Sequence, residues 1–188
     1  MSNIVIPSVS IDFNSGRLNG EGISKSTRIL GDLEGVFENV KAYDSMDKNI
    51  LVYRVESLLK ENDGKEGGLF FGTSFVSSGK VGDEYFMTKG HFHSKIDTAE
   101  YYWCISGEGM LILMDEERNC WAEKMVTGSL HYIPGKVAHR LANTGDNVLT
   151  VGACWPSDAG HDYAAIHENG FSLRLKNING IPTLVPVA

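Results

Sequence analysis

Apolar and polar residues alternate along most of the chain after residue 50, which is the pattern of half-buried β-strands. Turns rich in Gly, Asn and Asp separate the apolar runs at intervals of roughly 8–12 residues, and these runs read ILVYRVESLL, GLFFGTSFVS, EYFMT, AEYYWCIS, GEGMLILMD, CWAEKMV, TGSLHYIPG and NVLTVGACWP. Short strands at this spacing predict a β-sandwich or a β-barrel. Near the C-terminal end, FSLRLKN and IPTLVPV predict one more hairpin.

The first 31 residues differ from the rest because turn residues break their apolar patches. They predict one or two strands that form an N-terminal arm across the barrel or a neighbouring subunit. Residues 32–43 carry apolar side chains at the spacing of an amphipathic helix, with Asp32 as the N-cap and Gly35 as a weak point. The apolar positions of this predicted helix are Leu33, Val36, Phe37 and Val40. A further helical turn is predicted in SDAGHDYAAIHENG.

No linker, internal repeat or low-complexity tract divides the sequence, and 188 residues are enough for one domain with a buried core. We predict a single domain over residues 1–188. Within it we expect the N-terminal arm at 1–31, a barrel core at about 48–156 and C-terminal strands at 171–187.

Composition and charge exclude several classes of function. With 42% hydrophobic and 22% charged residues the chain is typical of a folded globular protein. Its net charge of −7 disfavours nucleic acid and anionic membranes as partners, so an anionic ligand would need a local pocket. No apolar run approaches the ~18–20 residues of a membrane span, and the first residues do not resemble a signal peptide. Three scattered cysteines without a CxxC motif predict reduced thiols and a cytoplasmic protein.

A candidate metal site lies in the stretch TKGHFHSKIDTAEYYW. His91 and His93 stand two residues apart, so in a strand both imidazoles can face one ion, and Glu100 follows them. A lone HxH is more often a pair of core or surface histidines, but His139 offers a fourth donor further along the chain. Imidazole and carboxylate together suit Fe, Mn or Zn better than Ca or Mg. We predict a mononuclear metal site at the mouth of a β-barrel.

Two motifs around these residues resemble the cupin superfamily. The first is the HxH with Glu100 and then Gly107; the second comprises Gly128, Pro134, His139 and Asn143. Six residues separate His93 from Glu100, more than in most cupins, and Lys136 stands where a glycine is usual. The segments TKGHFH, GKVG and DAGHDY are similar to the cupin-type (archaeal-type) glucose-6-phosphate isomerase family. The similarity extends from about residue 23 to residue 171.

This resemblance implies an all-β fold: a single cupin β-barrel, also called a double-stranded β-helix or jelly roll, with an N-terminal strand extension and one or two short helices. It implies the interconversion of glucose 6-phosphate and fructose 6-phosphate, by proton transfer through an enediol or by a hydride shift. It also implies a homodimer and one divalent transition metal per chain, with Fe(II) first and Mn, Ni or Zn as alternatives. The implied metal ligands are His91, His93, Glu100 and His139.

The remaining site residues follow partly from the resemblance and partly from the chemistry of the side chains. Glu100, Tyr102 and His161 are the expected catalytic groups. Thr88, Lys89 and Gly90 form a loop that offers a hydroxyl, an ammonium and an open backbone N–H to the substrate phosphate. Further substrate contacts are expected from Ser74, where relatives usually have Thr, from Tyr163, and from Trp155, where close relatives carry Tyr.

Two other histidines and two other functions complete the expectations. His131 is predicted to be structural and His167 to lie on the surface. The same ligands could serve an Fe(II) cupin dioxygenase, which the TKG loop and the GHDY segment disfavour. A cupin that binds a sugar phosphate without catalysis is the third possibility.

Overall fold

The computed structural model describes residues 3–60 and 63–187. Residues 1, 2 and 188 of the predicted domain, and residues 61 and 62 of the charged turn ENDGKEGG, lie outside these ranges. Within them the chain forms 15 β-strands, two α-helices and one 3-10 helix. The strands are β1 (Val9–Ile11), β2 (Leu18–Gly20), β3 (Ile23–Ile29), β4 (Leu51–Leu58), β5 (Leu69–Val76), β6 (Lys80–Val81), β7 (Glu84–Tyr85), β8 (Glu100–Ser106), β9 (Glu108–Asp115), β10 (Cys120–Val126), β11 (Leu130–Ile133), β12 (Val137–Asn143), β13 (Leu149–Pro156), β14 (Leu173–Ile178) and β15 (Ile181–Pro186). The helices are the 3-10 helix (Leu30–Leu33), α1 (Val40–Ser45) and α2 (Ala164–Asn169).

Antiparallel sheets enclose the core. A six-stranded sheet has the order β11-β8-β13-β5-β4-β3, and a three-stranded sheet has the order β10-β9-β12. Both supply buried side chains to one apolar cluster, with Val52, Cys104 and Val151 from the larger sheet and Leu111 and Leu141 from the smaller. A four-stranded sheet, β15-β14-β7-β6, contains the predicted C-terminal hairpin. The predicted all-β cupin fold is confirmed.

The N-terminal strand extension is also confirmed, since β1 and β2 pair as an antiparallel hairpin. Its anchor is Glu56 of β4, which is 2% exposed. The Glu56 carboxylate accepts hydrogen bonds from the backbone N–H of Leu18, at 2.9 Å, and from the Arg54 guanidinium, at 2.5 Å. The bond to Leu18 fixes the hairpin against the barrel, because its loss would remove a hydrogen bond from a buried carboxylate.

The helix predicted for residues 32–43 is wrong. A 3-10 turn precedes Gly35, whose φ of +77° ends it, and α1 begins later, with Asn39 as its N-cap. Asp32 caps the 3-10 turn instead, by accepting a hydrogen bond from the backbone N–H of Ile29 at 2.9 Å. Phe37 is still buried, so the apolar spacing serves packing of an irregular segment. The second predicted helical turn is present as α2.

Strand β12 differs from the other strands because all seven of its residues are buried. The apolar runs from which strands were predicted do not include residues 137–143, so this strand was not predicted. The strand lies beside the segment that carries the histidine pair, through isolated bridges that join Met87 to Ala142 and His91 to His139. A strand covered on both faces loses the alternation that reveals strands in a sequence.

Candidate metal centre and substrate cavity

Backbone pairing brings the predicted metal ligands together. The N–H of His91 donates to the carbonyl of His139 at 3.3 Å, and the N–H of His139 donates to the carbonyl of His91 at 3.1 Å. Glu100 is the first residue of β8, where it pairs with Ile133 of β11. His93 lies two residues beyond His91, on the same side of the extended chain. The HxH and the two later donors therefore converge from three separate segments.

The four side chains form one compact cluster. One donor atom from each of His91, His93, Glu100 and His139 lies within 4.8 Å of the others. Glu100 Oε1 is 2.6 Å from His139 Nε2 and 3.3 Å from His93 Nε2. His91 is half-buried and the other three residues are buried. This group of donors is small enough to surround a single ion.

The hydrogen-bond geometry of the cluster fits a metal ion. Glu100 Oε1 and His139 Nε2 are buried and, within the described residues, neither has a partner with hydrogen-bond geometry although they are only 2.6 Å apart. Unsatisfied buried polar atoms are costly, and an ion bound to both atoms would satisfy them. Three imidazoles with one carboxylate suit a divalent transition metal.

Outer contacts orient two of the rings. His93 Nδ1 lies 2.8 Å from the carbonyl oxygen of Thr98, and His139 Nδ1 lies 3.3 Å from that of Val137. A carbonyl only accepts, so each Nδ1 donates to its carbonyl, and Nε2 is the ring atom that faces the cluster. Thr98 belongs to the long segment between His93 and Glu100, which gives that unusual spacing a structural role.

The protonation states also favour a metal. Burial alone would raise the pKa of Glu100, but the adjacent His139 and His93 rings outweigh it and lower this pKa to about 2. Burial lowers the pKa of His91 well below its usual value, and the neighbouring His139 and His161 lower it further. The carboxylate is therefore ionised and the His91 imidazole neutral at neutral pH, which are the forms that coordinate metals.

A cavity of about 390 Å³ opens beside the cluster. We call it the substrate cavity. Ten of the twelve predicted site residues line this cavity. The other two, His93 and His139, are buried. The ten are Ser74, Thr88, Lys89, Gly90, His91, Glu100, Tyr102, Trp155, His161 and Tyr163. The fold thus brings every predicted site residue to one place.

Hydrogen bonds to β12 fix the loop at residues 88–90. Thr88 N–H donates to the carbonyl of Leu141 at 2.9 Å, and Thr88 Oγ1 accepts from the backbone N–H of Leu141 at 3.0 Å. Gly90 has a φ of +76°, and a Cβ there would lie 2.8 Å from the ring of Phe171 and 3.1 Å from the Arg140 side chain. Only glycine fits this position without displacing the rings and chains behind it.

Aromatic side chains line the cavity wall beside the cluster. The His161 ring stacks on Tyr163, with centroids 5.8 Å apart, and meets the His91 ring edge-on at 4.4 Å. Trp155 packs edge-on against Phe70 with centroids 5.9 Å apart. Burial raises the pKa of Tyr163, and burial together with the charge of Glu100 raises that of Tyr102 well above its usual value. Both phenols keep their protons at neutral pH.

Some cavity residues were not predicted from the sequence. Tyr53, Val55 and Ser57 of β4 line the cavity, and their spacing at i, i+2 and i+4 in ILVYRVESLL was the signal that they share one face. Burial raises the pKa of Tyr53 to about 12, against the opposing effects of Arg28 and of a hydrogen bond from the backbone of Lys89. The Tyr53 phenol therefore also keeps its proton and lies close to the loop.

The remaining histidines lie outside the substrate cavity. His131 is buried on β11, where Nε2 is 2.8 Å from Ser129 Oγ and Nδ1 is 2.6 Å from Glu123 Oε2. Val126 N–H also donates to that serine oxygen, at 3.1 Å. These contacts join β10 and β11, as expected of a structural histidine. His167 is exposed on α2, as predicted.

A model of the glucose-6-phosphate isomerase (GPI) family matches residues 27–180. The chain belongs to this family. Glucose-6-phosphate isomerase of Thermococcus litoralis is 42% identical over 174 residues, covering 92% of this chain and 90% of its own length. The same enzyme of Pyrococcus furiosus is 41% identical over the same shares. Oxalate oxidase in complex with glycolate is more distant, with a TM-score of 0.45 and 11% identity over 77% of this chain and 56% of its own.

Membership of the glucose-6-phosphate isomerase family confirms the resemblance seen in the TKGHFH and DAGHDY words. It also confirms that the protein is an enzyme of the isomerase class. In the part of the chain that the structure describes, no helix has the length and apolar character needed to cross a membrane.

Proposed function

We propose that the protein is a metal-dependent aldose–ketose isomerase that interconverts glucose 6-phosphate and fructose 6-phosphate. The observation that carries this proposal is one cavity of about 390 Å³ lined both by the Thr88–Gly90 loop and by residues of the metal-type cluster. A hexose 6-phosphate needs such a pairing, because its phosphate and its reacting carbons lie at opposite ends. The relatives are named glucose-6-phosphate isomerase, which supports the choice of substrate.

His91, His93, Glu100 and His139 would hold the metal, with Fe(II) as the first candidate and Mn, Ni or Zn as alternatives. The bound ion would supply Lewis-acid polarisation of the substrate oxygens on C1 and C2. Two of these four residues, His91 and Glu100, also line the substrate cavity. The protein residues then have to bind the sugar and move its protons.

Glu100 is our candidate for the proton transfer between C1 and C2. Its carboxylate would accept the proton from C2 of the aldose while O1 gains a proton, which gives the enediol. It would then return the proton to C1 while O2 loses its own, which gives the ketose. Tyr102 and His161 line the same cavity and would exchange protons with the sugar hydroxyls, including the one that opens the ring. Tyr102 keeps its phenolic proton because of burial and the charge of Glu100, so it is suited to donate a hydrogen bond.

The phosphate would bind at the other end of the cavity, to the hydroxyls of Ser74 and Thr88, the backbone N–H of Gly90 and the ammonium of Lys89. Charge-assisted hydrogen bonds of this kind are stronger than neutral ones. Trp155 and Tyr163 would form the walls beside the sugar. Because Trp155 lacks the phenolic proton of a tyrosine, we expect it to influence the preference among hexose 6-phosphates more than the reaction itself.

We further propose that the protein is one domain over residues 1–188, is cytoplasmic and forms a homodimer. All three cysteines are unpaired, which agrees with a reducing compartment. Val5 and Ile6 are each 86% exposed and Phe13 is 77% exposed in the N-terminal arm. Exposed apolar residues of this kind are typical of a surface that a partner covers. Size-exclusion chromatography with light scattering would test the dimer against a monomer of 20.6 kDa.

A coupled assay tests the reaction. Metal-depleted protein should form no fructose 6-phosphate from glucose 6-phosphate, and addition of Fe(II) or another divalent transition metal should restore the activity. Metal content measured on the same samples makes the comparison quantitative. Failure to convert glucose 6-phosphate at full metal occupancy would contradict the proposal. Oxygen uptake with a substrate that lacks phosphate would instead identify a dioxygenase.

Isotope transfer tests the role of Glu100. If the carboxylate carries the proton through an enediol, the reaction in D₂O should place solvent deuterium on C1 of fructose 6-phosphate. Complete retention of deuterium from 2-deuterated glucose 6-phosphate would indicate a hydride shift and would exclude Glu100 as the carrier. NMR of the product separates the two outcomes.

A further inference from the structure

A second cavity, of about 660 Å³, lies on the far side of the loop that lines the substrate cavity. We call it the arginine cavity. The two share Tyr53, Lys89, Gly90 and Tyr163, so the loop at residues 88–90 forms part of the wall between them. The arginine cavity is lined by four cationic side chains, Arg28, Lys89, Arg140 and Arg174. This concentration of positive charge stands out in a chain with a net charge of −7.

Arg140 is the most informative of these residues because it is buried without an adequate partner. It is 8% exposed, and its NH1 group donates only to the thioether sulfur of Met87, at 3.0 Å. Its guanidinium carbon lies 3.9 Å from the centre of the Phe171 ring. Its Nε is buried and has no hydrogen-bond partner among the described residues. A thioether and a ring face compensate poorly for a desolvated cation, and within the described residues no carboxylate forms an ion pair with Arg140.

The other cations differ in how far they are already paired. Arg174 donates to Glu84 at 2.8 Å, which neutralises much of its charge, although its Nε also lacks a hydrogen bond within the described residues. Arg28 donates to the carbonyl of Thr27 at 2.8 Å and, in residues 3–60 and 63–187, forms no ion pair. Two carboxylates, Glu34 and Glu168, also line the cavity. Arg28, Lys89 and Arg140 are thus the cations left to bind an anion.

We propose that the arginine cavity is a second anion-binding site, which takes a small molecule with a phosphate group. The phosphate would be held by Arg140 and Arg28, because guanidinium groups bind phosphate oxygens through two parallel hydrogen bonds. The volume exceeds what a phosphate ion needs and lies in the range of small-molecule pockets. Phe171, Ile166 and Leu173 supply an apolar wall against which the body of the molecule would pack.

This site is distinct from the place where we propose the substrate phosphate binds. A Cβ at Gly90 would lie 3.1 Å from the Arg140 side chain, so the backbone of Gly90 packs directly on the guanidinium. Anions in the two cavities would be separated by this single layer of backbone. The second site does not depend on the proposed isomerase reaction, since its argument rests on the unpaired cations alone.

Binding of radiolabelled inorganic phosphate to the full chain, measured by equilibrium dialysis, tests the proposal. In the wild-type protein we expect a bound phosphate that Ser74→Ala, a change in the substrate cavity alone, retains. Arg28→Gln should weaken this phosphate by about tenfold or more, since it removes a hydrogen bond between charged groups. Lys25→Gln is the matched control: it removes one positive charge from the same strand, but Lys25 is exposed and lines neither cavity. We expect it to bind phosphate as the wild-type protein does.

Arg140→Met is a second variant that removes the buried charge while keeping a long apolar side chain. We expect it to lose the same phosphate with no fall in thermal stability, because an underpaired buried cation is replaced. The proposal is overturned if Arg28→Gln and Lys25→Gln bind phosphate equally, or if Ser74→Ala, a change in the substrate cavity alone, loses the phosphate that depends on Arg28. Failure of glucose 6-phosphate to bind at all contradicts the proposed function instead and leaves the comparison of the two variants valid.

Discussion

The two cavities share a wall but differ in the groups they present. The substrate cavity holds imidazole, carboxylate and hydroxyl groups, whereas guanidinium groups dominate the arginine cavity. Consecutive residues of β12 contribute to the two sides: His139 joins the cluster with Glu100, and Arg140 packs on Phe171 beside the arginine cavity. Because successive side chains of a strand point to opposite faces, β12 presents an imidazole to the cluster and a guanidinium to the arginine cavity.

This difference explains how an acidic protein can bind anions. The negative net charge disfavours a broad electrostatic attraction, so local groups must do the binding. The fold places Lys89 and Gly90 where they border both cavities, and it places the buried Arg140 directly behind Gly90. Variants that alter one cavity and leave the other unchanged therefore test whether the two cavities bind their ligands independently.

The largest effect is expected from the metal side. His139→Ala removes a buried donor of the cluster, so bound metal should be lost and kcat/KM should fall by about 10³-fold or more, since metal polarisation contributes several kcal/mol. Metal analysis and the coupled assay measure this. The phosphate in the arginine cavity should remain, because Arg28 and Arg140 are unchanged. Retention of full activity without bound metal would contradict the proposed role of the cluster.

Gly90→Ala should disturb both cavities. The new Cβ would lie 2.8 Å from the Phe171 ring at a φ of +76°, so we expect a loss of about 1–3 kcal/mol in the free energy of unfolding and weaker phosphate binding on both sides. Gly67→Ala is the matched control, since Gly67 has a φ of +77° and no heavy atom within 4 Å of the added Cβ. Equal destabilisation in the two variants, measured by chemical denaturation, would show that packing at Gly90 is unimportant.

Ser74→Ala should affect only the substrate cavity. Loss of one hydrogen bond to a charged phosphate should raise the KM for glucose 6-phosphate by about tenfold with little change in kcat. Ser74→Thr keeps the hydroxyl and should behave nearly as the wild-type protein. Steady-state kinetics on both variants would detect the difference, and an unchanged KM in Ser74→Ala would remove this serine from the phosphate site.

Trp155→Tyr should give the smallest effect. Tyrosine would place a phenol beside the sugar. It would also leave space over Gly72, because the Trp155 indole now packs so closely on Gly72 that an added Cβ there would lie 3.0 Å from the ring. We expect the ratio of kcat/KM for glucose 6-phosphate to that for mannose 6-phosphate to change by no more than about tenfold, as contacts in a preformed pocket usually allow. A collapse of kcat on both substrates would instead place Trp155 in the chemistry.

The sequence predicted the metal side far better than the arginine side. Ligand spacing combined with the two-residue period of a strand was enough to bring His91 and His93 together, and the motifs supplied the later donors. Arg140 gave no comparable signal, because a single arginine inside an apolar strand does not reveal that Met87 and Phe171 surround it. Those contacts depend on segments 31 to 53 residues away, which no local pattern reports.

The helix prediction failed for a different reason. Apolar residues at helical spacing indicated burial correctly at Leu33 and Phe37 but not at Val40, which is 62% exposed. Gly35, with a φ of +77°, interrupts the segment. Strand β12 was missed in part because both of its faces are covered, which removes the alternation on which strand prediction relies. Positions that face the substrate cavity from β4 could have been predicted, since Tyr53, Val55 and Ser57 follow that alternation.

The long segment between His93 and Glu100 bears on how quickly the proposed metal ion would exchange. Because the carbonyl of Thr98 holds His93 Nδ1–H at 2.8 Å, the imidazole is already oriented before an ion arrives. An ion that dissociates leaves behind a ring that cannot easily turn away, so rebinding competes well with escape. We therefore expect a long residence time for the ion, and slow transfer to a chelator even where the equilibrium favours the chelator.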